Sequence, residues 1–314
     1  MQISDLNELA ESDSTWEAAK QIANTRLRMS SQTWQLIKSS WYGQTELMDF
    51  YKTISFSHLD PRCLLHAAEM SDQEFKRDIL TLEKAIAFLG TRYCSVVLAI
   101  NVACKMILKT CPENYWETLL RKLITSVEIG SKLGSKCKEL GMEGGAIVGF
   151  SRYLGMALFL AQDQKKYRQL VASQNSESAE PIQVQLYGCS DYQVAAFGLL
   201  RLGFGPEISL GASLGIGNLN PKHGKYPREV LRWRAAIKWI EALEAGLEKP
   251  KDSVTSRFFP EIAPAQGSES NISLDDLLAE VKKINDGGSK WTWHLPQPGY
   301  EETQSLISSS LPRK

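Results

Sequence analysis

The chain has 314 residues, of which 43 % are hydrophobic, and its 36 basic residues balance its 36 acidic ones. This length and composition can fill a sizeable core, either as one large domain or as two moderate ones. A formal net charge of zero excludes a global field that would attract nucleic acid or an anionic membrane.

The composition also predicts a soluble, cytoplasmic protein without a membrane partner. The N-terminal sequence MQISDLNELAESD is acidic and has no apolar run, unlike a signal peptide. The longest apolar stretches, residues 94–108 and 145–161, are shorter than the roughly 20 residues that span a bilayer. The six cysteines include no CxxC pair, and most lie among apolar residues, as reduced core thiols do.

Helical periodicity dominates the chain from its N-terminus onward, and strand signals are almost absent. Expected helix starts are Ser14 with Glu17 in a capping box, Asp60 followed by Pro61, and Thr81. Helices are predicted near residues 14–28, 31–40, 46–55, 60–68, 81–90, 92–109, 114–140, 139–162, 164–171, 191–202, 227–247 and 273–285. Residues 182–188 are predicted as a short extended piece or a loop. The fold is therefore expected to be all-α.

The central stretch 139–162 carries the main question about function. It is apolar enough for a buried helix, yet Arg152 and Tyr153 interrupt it at mid-length. One interpretation is that Arg152 extends to solvent or to a carboxylate, as long cationic side chains do. The other is that this pair occupies the place where a related chain keeps catalytic residues.

Few residues are suited to metal or nucleophile chemistry. The four histidines (His58, His66, His223 and His294) form no HxxxH, HD or HExxH pattern, so we expect no metal centre and no cofactor. The glycines at 215–217 follow no predicted strand and are better explained by packing than by phosphate binding. No GxSxG motif is present.

Residues 222–238 hold six Lys and Arg residues against one acid, Glu229. We favour a solvated helical face, because Glu241, Glu244 and Glu248 balance these charges in the next turns. The alternative is a docking surface for an acidic partner or nucleic acid.

With the helices in place, three sequence blocks resemble the HDOD family, the bacterial HD-related output domain. The first is Leu59-Asp60-Pro61 followed by LEKAIAFLG at 82–90, and the second is AIVGF at 146–150 followed by Leu154-Gly155. The third runs from Tyr187-Gly188 to GFGP at 203–206. The likeness covers about residues 57–220. It implies an HD-domain-like multi-helix bundle with a role in bacterial cytoplasmic signalling or regulation.

The departures from the related HD phosphohydrolases concern metal ligands. The resemblance places Arg152 and Tyr153 where those relatives have the His-Asp pair, and Thr125 where a histidine is common. It places Tyr192, which follows Asp191, where they have another histidine. Residues 214–217 replace a later His pair. Guanidinium, phenol and hydroxyl groups cannot rebuild a divalent-metal site. We therefore expect no catalytic residues, and these five side chains are candidates for binding a ligand or partner.

The resulting prediction is a non-catalytic regulatory protein, a pseudo-phosphohydrolase, that binds a signalling protein in trans or a small ligand. Arg152 is predicted to be buried and paired with Asp191 or with a phosphate. The predicted divisions are an N-terminal helical subdomain (1–56), an HDOD-like domain (57–248), a linker (249–272) and a short helix with a tail (273–314). Two alternatives remain: a divergent metal-dependent phosphohydrolase using Asp60, His66, Glu69 and Asp191, and a nucleic-acid-binding regulator using 222–238.

Overall fold

The computed structural model describes residues 6–57, 59–71, 81–110, 113–173, 179–219, 226–263, 271–289 and 291. Within these ranges every regular element is a helix, so the all-α prediction is confirmed. The helices are α1 (Leu6–Ser12), α2 (Ser14–Arg26), α3 (Ser31–Trp41), α4 (Leu47–Ser55), α5 (Arg62–Ser71), α6 (Leu82–Leu108), α7 (Glu113–Lys136), α8 (Gly141–Gln162), α9 (Gln164–Ser173), α10 (Ala179–Tyr187), α11 (Asp191–Arg201), α12 (Pro206–Ile216), α13 (Arg228–Glu244), α14 (Ser253–Ser256) and α15 (Ile272–Gly287).

Helix α8 lies at the centre and packs most extensively along α7, with α11, α6 and α13 around it. The α7–α8 seam depends on glycines: a Cβ at Gly130 would collide with the carbonyl of Gly145, and one at Gly134 with that of Gly141. The predicted close approach of a neighbour to the two glycines of α7 is confirmed. Since residue numbers rise along one helix as they fall along the other, α7 and α8 are antiparallel.

Helix α6 contains the break predicted at Gly90. This glycine has φ 75° and ψ 154°, which divides α6 into an N-terminal part and a longer apolar part. The N-terminal part begins with the predicted Thr81 cap, whose hydroxyl accepts the backbone N–H of Lys84 at 3.3 Å. A positive φ is costly for residues other than glycine, so a glycine is suited to this break between the two parts of α6.

Two helix caps lie at other residues than predicted. Helix α2 is capped by Asp13, which has extended backbone, while Ser14 is already helical. Helix α15 is likewise capped by Asn271 and not by Ser273. In both cases an Asp or Asn upstream takes the role, because its carboxylate or amide oxygen reaches the free N–H groups of the first turn.

The prediction for residues 182–188 is wrong, because residues 182–187 belong to helix α10. Its last residue, Tyr187, stacks on Phe159 of α8 with ring centroids 4.0 Å apart. The Tyr187 hydroxyl also donates to the carbonyl of Asp163 at 2.9 Å. Contacts to α8 and α9 therefore stabilise a helix whose own sequence is ambiguous, and Gly188, with φ 77°, ends it.

The first part of the predicted linker packs on α13. Phe259 and Ile262 are buried, and the indole N–H of Trp239 donates to the carbonyl of Thr255 at 3.1 Å. The guanidinium of Arg234 donates to the Thr255 hydroxyl at 3.2 Å. Residues 264–270 lie outside the described residues, and the division into domains stays a prediction.

Trp291 docks on the main body of the protein: it is 7 % exposed, and its ring lies 6.4 Å from that of Tyr93. Trp293 and the rest of the tail lie outside the described residues. Five cysteines (Cys63, Cys94, Cys104, Cys137 and Cys189) are buried free thiols, as predicted, and Cys111 is also outside the described part.

Helices α6 and α8 are long and apolar enough to cross a membrane, although their apolar stretches were predicted to be too short. Their most apolar windows are 67 % and 83 % buried inside the protein. Such burial is what core helices of a soluble protein show.

Candidate functional site

Arg152 projects from the middle of α8 toward the C-terminal end of α13. Its Nη2 lies 2.8 Å from Oε2 of Glu244, the last residue of α13. The two side chains are only 16 % and 14 % exposed, so water screens the pair weakly. Arg152 is thus mostly buried and is paired, as predicted, but its partner is Glu244 and not Asp191.

Three neighbours surround this ion pair: Tyr153, Lys238 and Glu241. We call these three residues, together with Arg152 and Glu244, the Arg152 cluster. The Tyr153 hydroxyl donates to Oε2 of Glu244 at 3.2 Å. Glu241 lies 4.0 Å from the guanidinium of Arg152 and 2.7 Å from the ammonium of Lys238. The cluster therefore contains two cations and two carboxylates, and its charges are balanced internally.

The protonation states follow from burial and these charges. Burial lowers the pKa of Arg152, but Glu244, Tyr153 and Glu241 outweigh burial and raise the pKa above its usual value. Burial and the Glu244 carboxylate also raise the pKa of Tyr153. Arg152 therefore remains a cation, and the Tyr153 phenol keeps the proton it donates to Glu244.

Two buried atoms of the cluster have no hydrogen-bond partner within the described part of the chain: Nε of Arg152 and Oε1 of Glu244. Buried polar atoms are normally bonded, so the pair retains one unused donor and one unused acceptor. The unused acceptor is a single carboxylate oxygen beside a guanidinium, and the described residues contain no group of three or more His, Cys, Asp or Glu side chains that could hold a metal ion.

Asp191 and Tyr192 form a separate group at the start of α11. The Tyr192 hydroxyl donates to Glu180 at 2.9 Å, and its ring packs edge-on to Trp16, with centroids 6.4 Å apart. The backbone N–H of Asp191 donates to Gln183 at 2.9 Å, while its carbonyl packs against Gly155 of α8. The partners of this pair are thus mainly on α10 and α2, not on α13.

Burial raises the pKa of Asp191 to about 6, although hydrogen bonds from Tyr192 and Gln183 oppose the shift. Burial and the hydrogen bond to Glu180 raise the pKa of Tyr192 to about 12. We therefore expect Asp191 to exchange its proton near pH 6, while Tyr192 remains a neutral phenol at that pH.

Thr125 is half-buried on α7, next to Ser126, whose carbonyl packs against Gly149 of α8. In the part of the chain described, Thr125 makes no side-chain hydrogen bond to Arg152 or Tyr192. The five candidate residues thus interact with different partners. Glu180 was not predicted as a partner, and Glu244 was predicted only as a charge that balances the basic segment.

The ligand set of the alternative phosphohydrolase does not converge. Asp60 accepts from Arg62 at 2.9 Å and lies 3.6 Å from Lys105, while His66 contacts Glu69 at 3.2 Å. Asp191 belongs to the α11 group. Among the described residues, no three His, Cys, Asp or Glu side chains come close enough to hold a metal ion.

The basic segment 222–238 is largely neutralised or buried where it is described. Arg228 lies 2.7 Å from Glu139, and Lys238 lies 2.7 Å from Glu241. Arg234 is 9 % exposed. Lys222 and Lys225 lie outside the described residues. These contacts favour the interpretation as a balanced helical face over a nucleic-acid surface.

Two solved structures are similar to this chain. One is a putative phosphohydrolase from Shewanella amazonensis SB2B, with a TM-score of 0.63 and 13 % identity over 89 % of this chain and 98 % of that one. The other is an HDOD domain protein with unknown function from Geobacter sulfurreducens, with a TM-score of 0.54 and 12 % identity over 94 % of each chain. No protein-family model and no curated protein sequence matches the chain.

Together these similarities identify the architecture: the chain has an HDOD-type fold, an HD-like helical bundle. At these identities the similarity concerns the fold alone. The resemblance noted in the sequence is thereby confirmed for the fold, while the roles of the five candidate residues stay predictions.

HD phosphohydrolases imply a metal, and the residues that the sequence resemblance assigns to the metal position do not fit one. The side chain there is a guanidinium that is already paired with Glu244 at 2.8 Å, and the adjacent phenol donates to the same carboxylate. Divalent metals require neutral imidazoles and available carboxylates. A cation at this position would instead repel a metal ion.

Proposed function

We propose that the protein is a non-catalytic regulatory protein that acts by binding, built on an HD-type bundle whose metal position holds an internal ion pair. The observation that carries this proposal is the contact between Arg152 and Glu244, 2.8 Å apart and mostly buried. It replaces a hydrolytic centre by a charge pair that links two helices. The regulatory part of the proposal rests on the resemblance to HDOD domains.

The ion pair supports binding over turnover for an electrostatic reason. A hydrolytic metal lowers the pKa of its bound water and thereby generates the nucleophile. Here the cation is a guanidinium with no exchangeable water and with a raised pKa. The nearest carboxylate, Glu244, is already paired with Arg152 and accepts a hydrogen bond from Tyr153. A signalling protein that binds in trans is the partner class we propose.

Metal analysis combined with a hydrolysis assay tests this function. We expect purified protein to hold no stoichiometric Fe, Mn, Mg or Zn, and to hydrolyse bis-p-nitrophenyl phosphate no faster than an Arg152→Met/Glu244→Gln double variant. Added Mn²⁺ should not make the native chain hydrolyse this substrate faster than the double variant does. Bound metal together with chelator-sensitive hydrolysis by the native chain would establish the divergent phosphohydrolase instead.

A further inference from the structure

A cleft of about 450 Å³ opens between α2, α3, the C-terminal end of α11 and the start of α12. We call it the Trp34 cleft, after Trp34, which lines it together with Lys20, Lys38, Tyr42 and Arg201. Small-molecule sites typically measure about 300–1,000 Å³, so the cleft is large enough for a ligand. It contains no residue of the Arg152 cluster.

The charge of the Trp34 cleft is one-sided. Lys20, Lys38 and Arg201 line it, and none of its described lining residues is an aspartate or glutamate. In a chain with equal numbers of acidic and basic residues, three cations without a carboxylate are a local excess. These groups together favour an anion.

Aromatic rings form a second feature of the cleft. The indole of Trp34 is oriented by a hydrogen bond from Nε1 to the carbonyl of Leu200 at 3.4 Å. The ammonium of Lys38 lies 4.6 Å from the Trp34 ring centre, and the ring of Tyr42 is 48 % exposed. A planar ring of a ligand can stack on such surfaces while nearby cations bind its charged part.

The start of α12 borders the cleft, but it already carries a carboxylate. Gly205 is the N-cap of α12, and Pro206 occupies the first turn. A Cβ at position 205 would collide with the hydroxyl of Tyr42 and would lie 2.9 Å from Oε2 of Glu207. Burial and the charge of Glu207 raise the pKa of Tyr42. The negative charge favoured at this helix N-terminus is therefore supplied by Glu207, and the anionic part of a ligand would bind at the cations of α2, α3 and α11.

We propose that the Trp34 cleft binds a nucleotide, with its planar base against Trp34 and Tyr42 and its phosphate at Lys38 and Arg201. Both parts are needed, because cations alone would bind any anion and aromatic rings alone any planar molecule. This inference goes beyond the proposed function. It would hold whether or not the chain hydrolyses phosphodiesters, since the two sites share no residue.

Isothermal titration calorimetry at low ionic strength with ATP and GTP tests the proposal, with adenosine and inorganic pyrophosphate as the separate halves of the ligand. We expect at least one nucleotide to bind about tenfold or more tightly than either half, since base and phosphate contacts then act together. Arg201→Gln and Lys38→Gln should each weaken binding roughly tenfold, as loss of a charge-assisted hydrogen bond does. Arg201→Lys should restore part of the affinity.

Lys283→Gln is the matched control, because it removes a cation at an exposed position of α15 outside the cleft. Its affinity should equal that of the native chain, and thermal melting should confirm that all variants fold. If Arg201→Gln does not fold, Lys20→Gln takes its place. The proposal is overturned if neither nucleotide binds at millimolar concentration, if the cleft variants bind as the native chain does, or if pyrophosphate or adenosine binds as tightly as the nucleotide.

Discussion

The guanidinium of Arg152 lies 2.8 Å from the carboxylate of Glu244 and joins the middle of α8 to the last residue of α13. A carboxylate at a helix C-terminus is unfavourable beside the helix dipole, and the arginine offsets this. Helix α8 is the central helix, and the segment that follows α13 in the chain packs on α13. The contact therefore couples the core of the bundle to the C-terminal third of the chain.

Removing one member of this pair leaves the other buried without its counter-charge. We expect Arg152→Met to lower the free energy of unfolding by about 2–4 kcal/mol, and Glu244→Gln by a similar amount. The double variant should lose less than the sum of the two, because each single change already removes the interaction. Urea denaturation measures all three. Arg121→Met, in an exposed pair with Glu117, is the control and should change stability by less than about 0.5 kcal/mol.

The raised pKa of Asp191 predicts a pH-dependent cost to folding. An aspartate in the unfolded chain has a pKa of about 3.9, so between pH ~4 and pH ~6 the folded state binds more protons than the unfolded state. The stability contributed by the protonated form is complete below about pH 4 and is lost as the pH rises through about 6. Asp191→Asn should therefore stabilise the protein relative to the native chain at pH 7, by on the order of 1–3 kcal/mol.

This advantage of Asp191→Asn should shrink as the pH falls through about 6 toward 4, because the native carboxyl is then protonated in the folded state and increasingly so in the unfolded state. Chemical denaturation at several pH values between 4 and 7 gives the difference directly. A difference that stays constant over that range would show that the effect of the substitution is steric and not electrostatic.

The α7–α8 seam predicts opposite results for two Gly-to-Ala changes. A Cβ at position 145 would meet the carbonyl of Gly130, so Gly145→Ala should lower the unfolding free energy by about 2–3 kcal/mol. At Gly287, the last residue of α15, a Cβ would meet no heavy atom of the described residues within 4 Å, and φ there is not positive. An alanine at position 287 should be neutral or stabilise by about 0.5 kcal/mol. Equal effects at the two positions would contradict the packing described.

The buried cysteines predict slow thiol chemistry in the native state. Burial raises the pKa of each of the five described thiols, to about 12 for Cys63 and Cys189. Only the thiolate is reactive, so a Cys111→Ser variant should react slowly with Ellman's reagent at neutral pH. In denaturant it should release five equivalents. A native thiol that reacts within seconds would show that one of these side chains is accessible.

The sequence predicted the helices best where the apolar period was long or the boundary chemistry distinct. Thr81 and Gly90 marked the two limits of the first part of α6, because a hydroxyl cap and a positive φ are local requirements. Helix α10 was missed because its stability comes from the stacking of Tyr187 on Phe159, 28 residues earlier in the chain. Such a contact leaves no periodic signal in the short segment itself.

The candidate site shows the same limit. The burial of Arg152 followed from the apolar residues around it on α8. Its partner did not, because Glu244 follows Tyr153 by 91 residues and reaches α8 only through the packing angle of α13. The lysine and arginine residues of the Trp34 cleft come from three different helices, so no short motif could have indicated that they share one cleft.

The contacts of Thr255 with Trp239 and Arg234 bear on where this protein can be shortened. A chain cut after residue 248 would leave the indole N–H of Trp239 without its acceptor and would uncover the apolar surface now covered by Phe259 and Ile262. Such a fragment should aggregate or expose proteolytic sites in α13. The smallest autonomous unit that includes α13 therefore extends at least to residue 262.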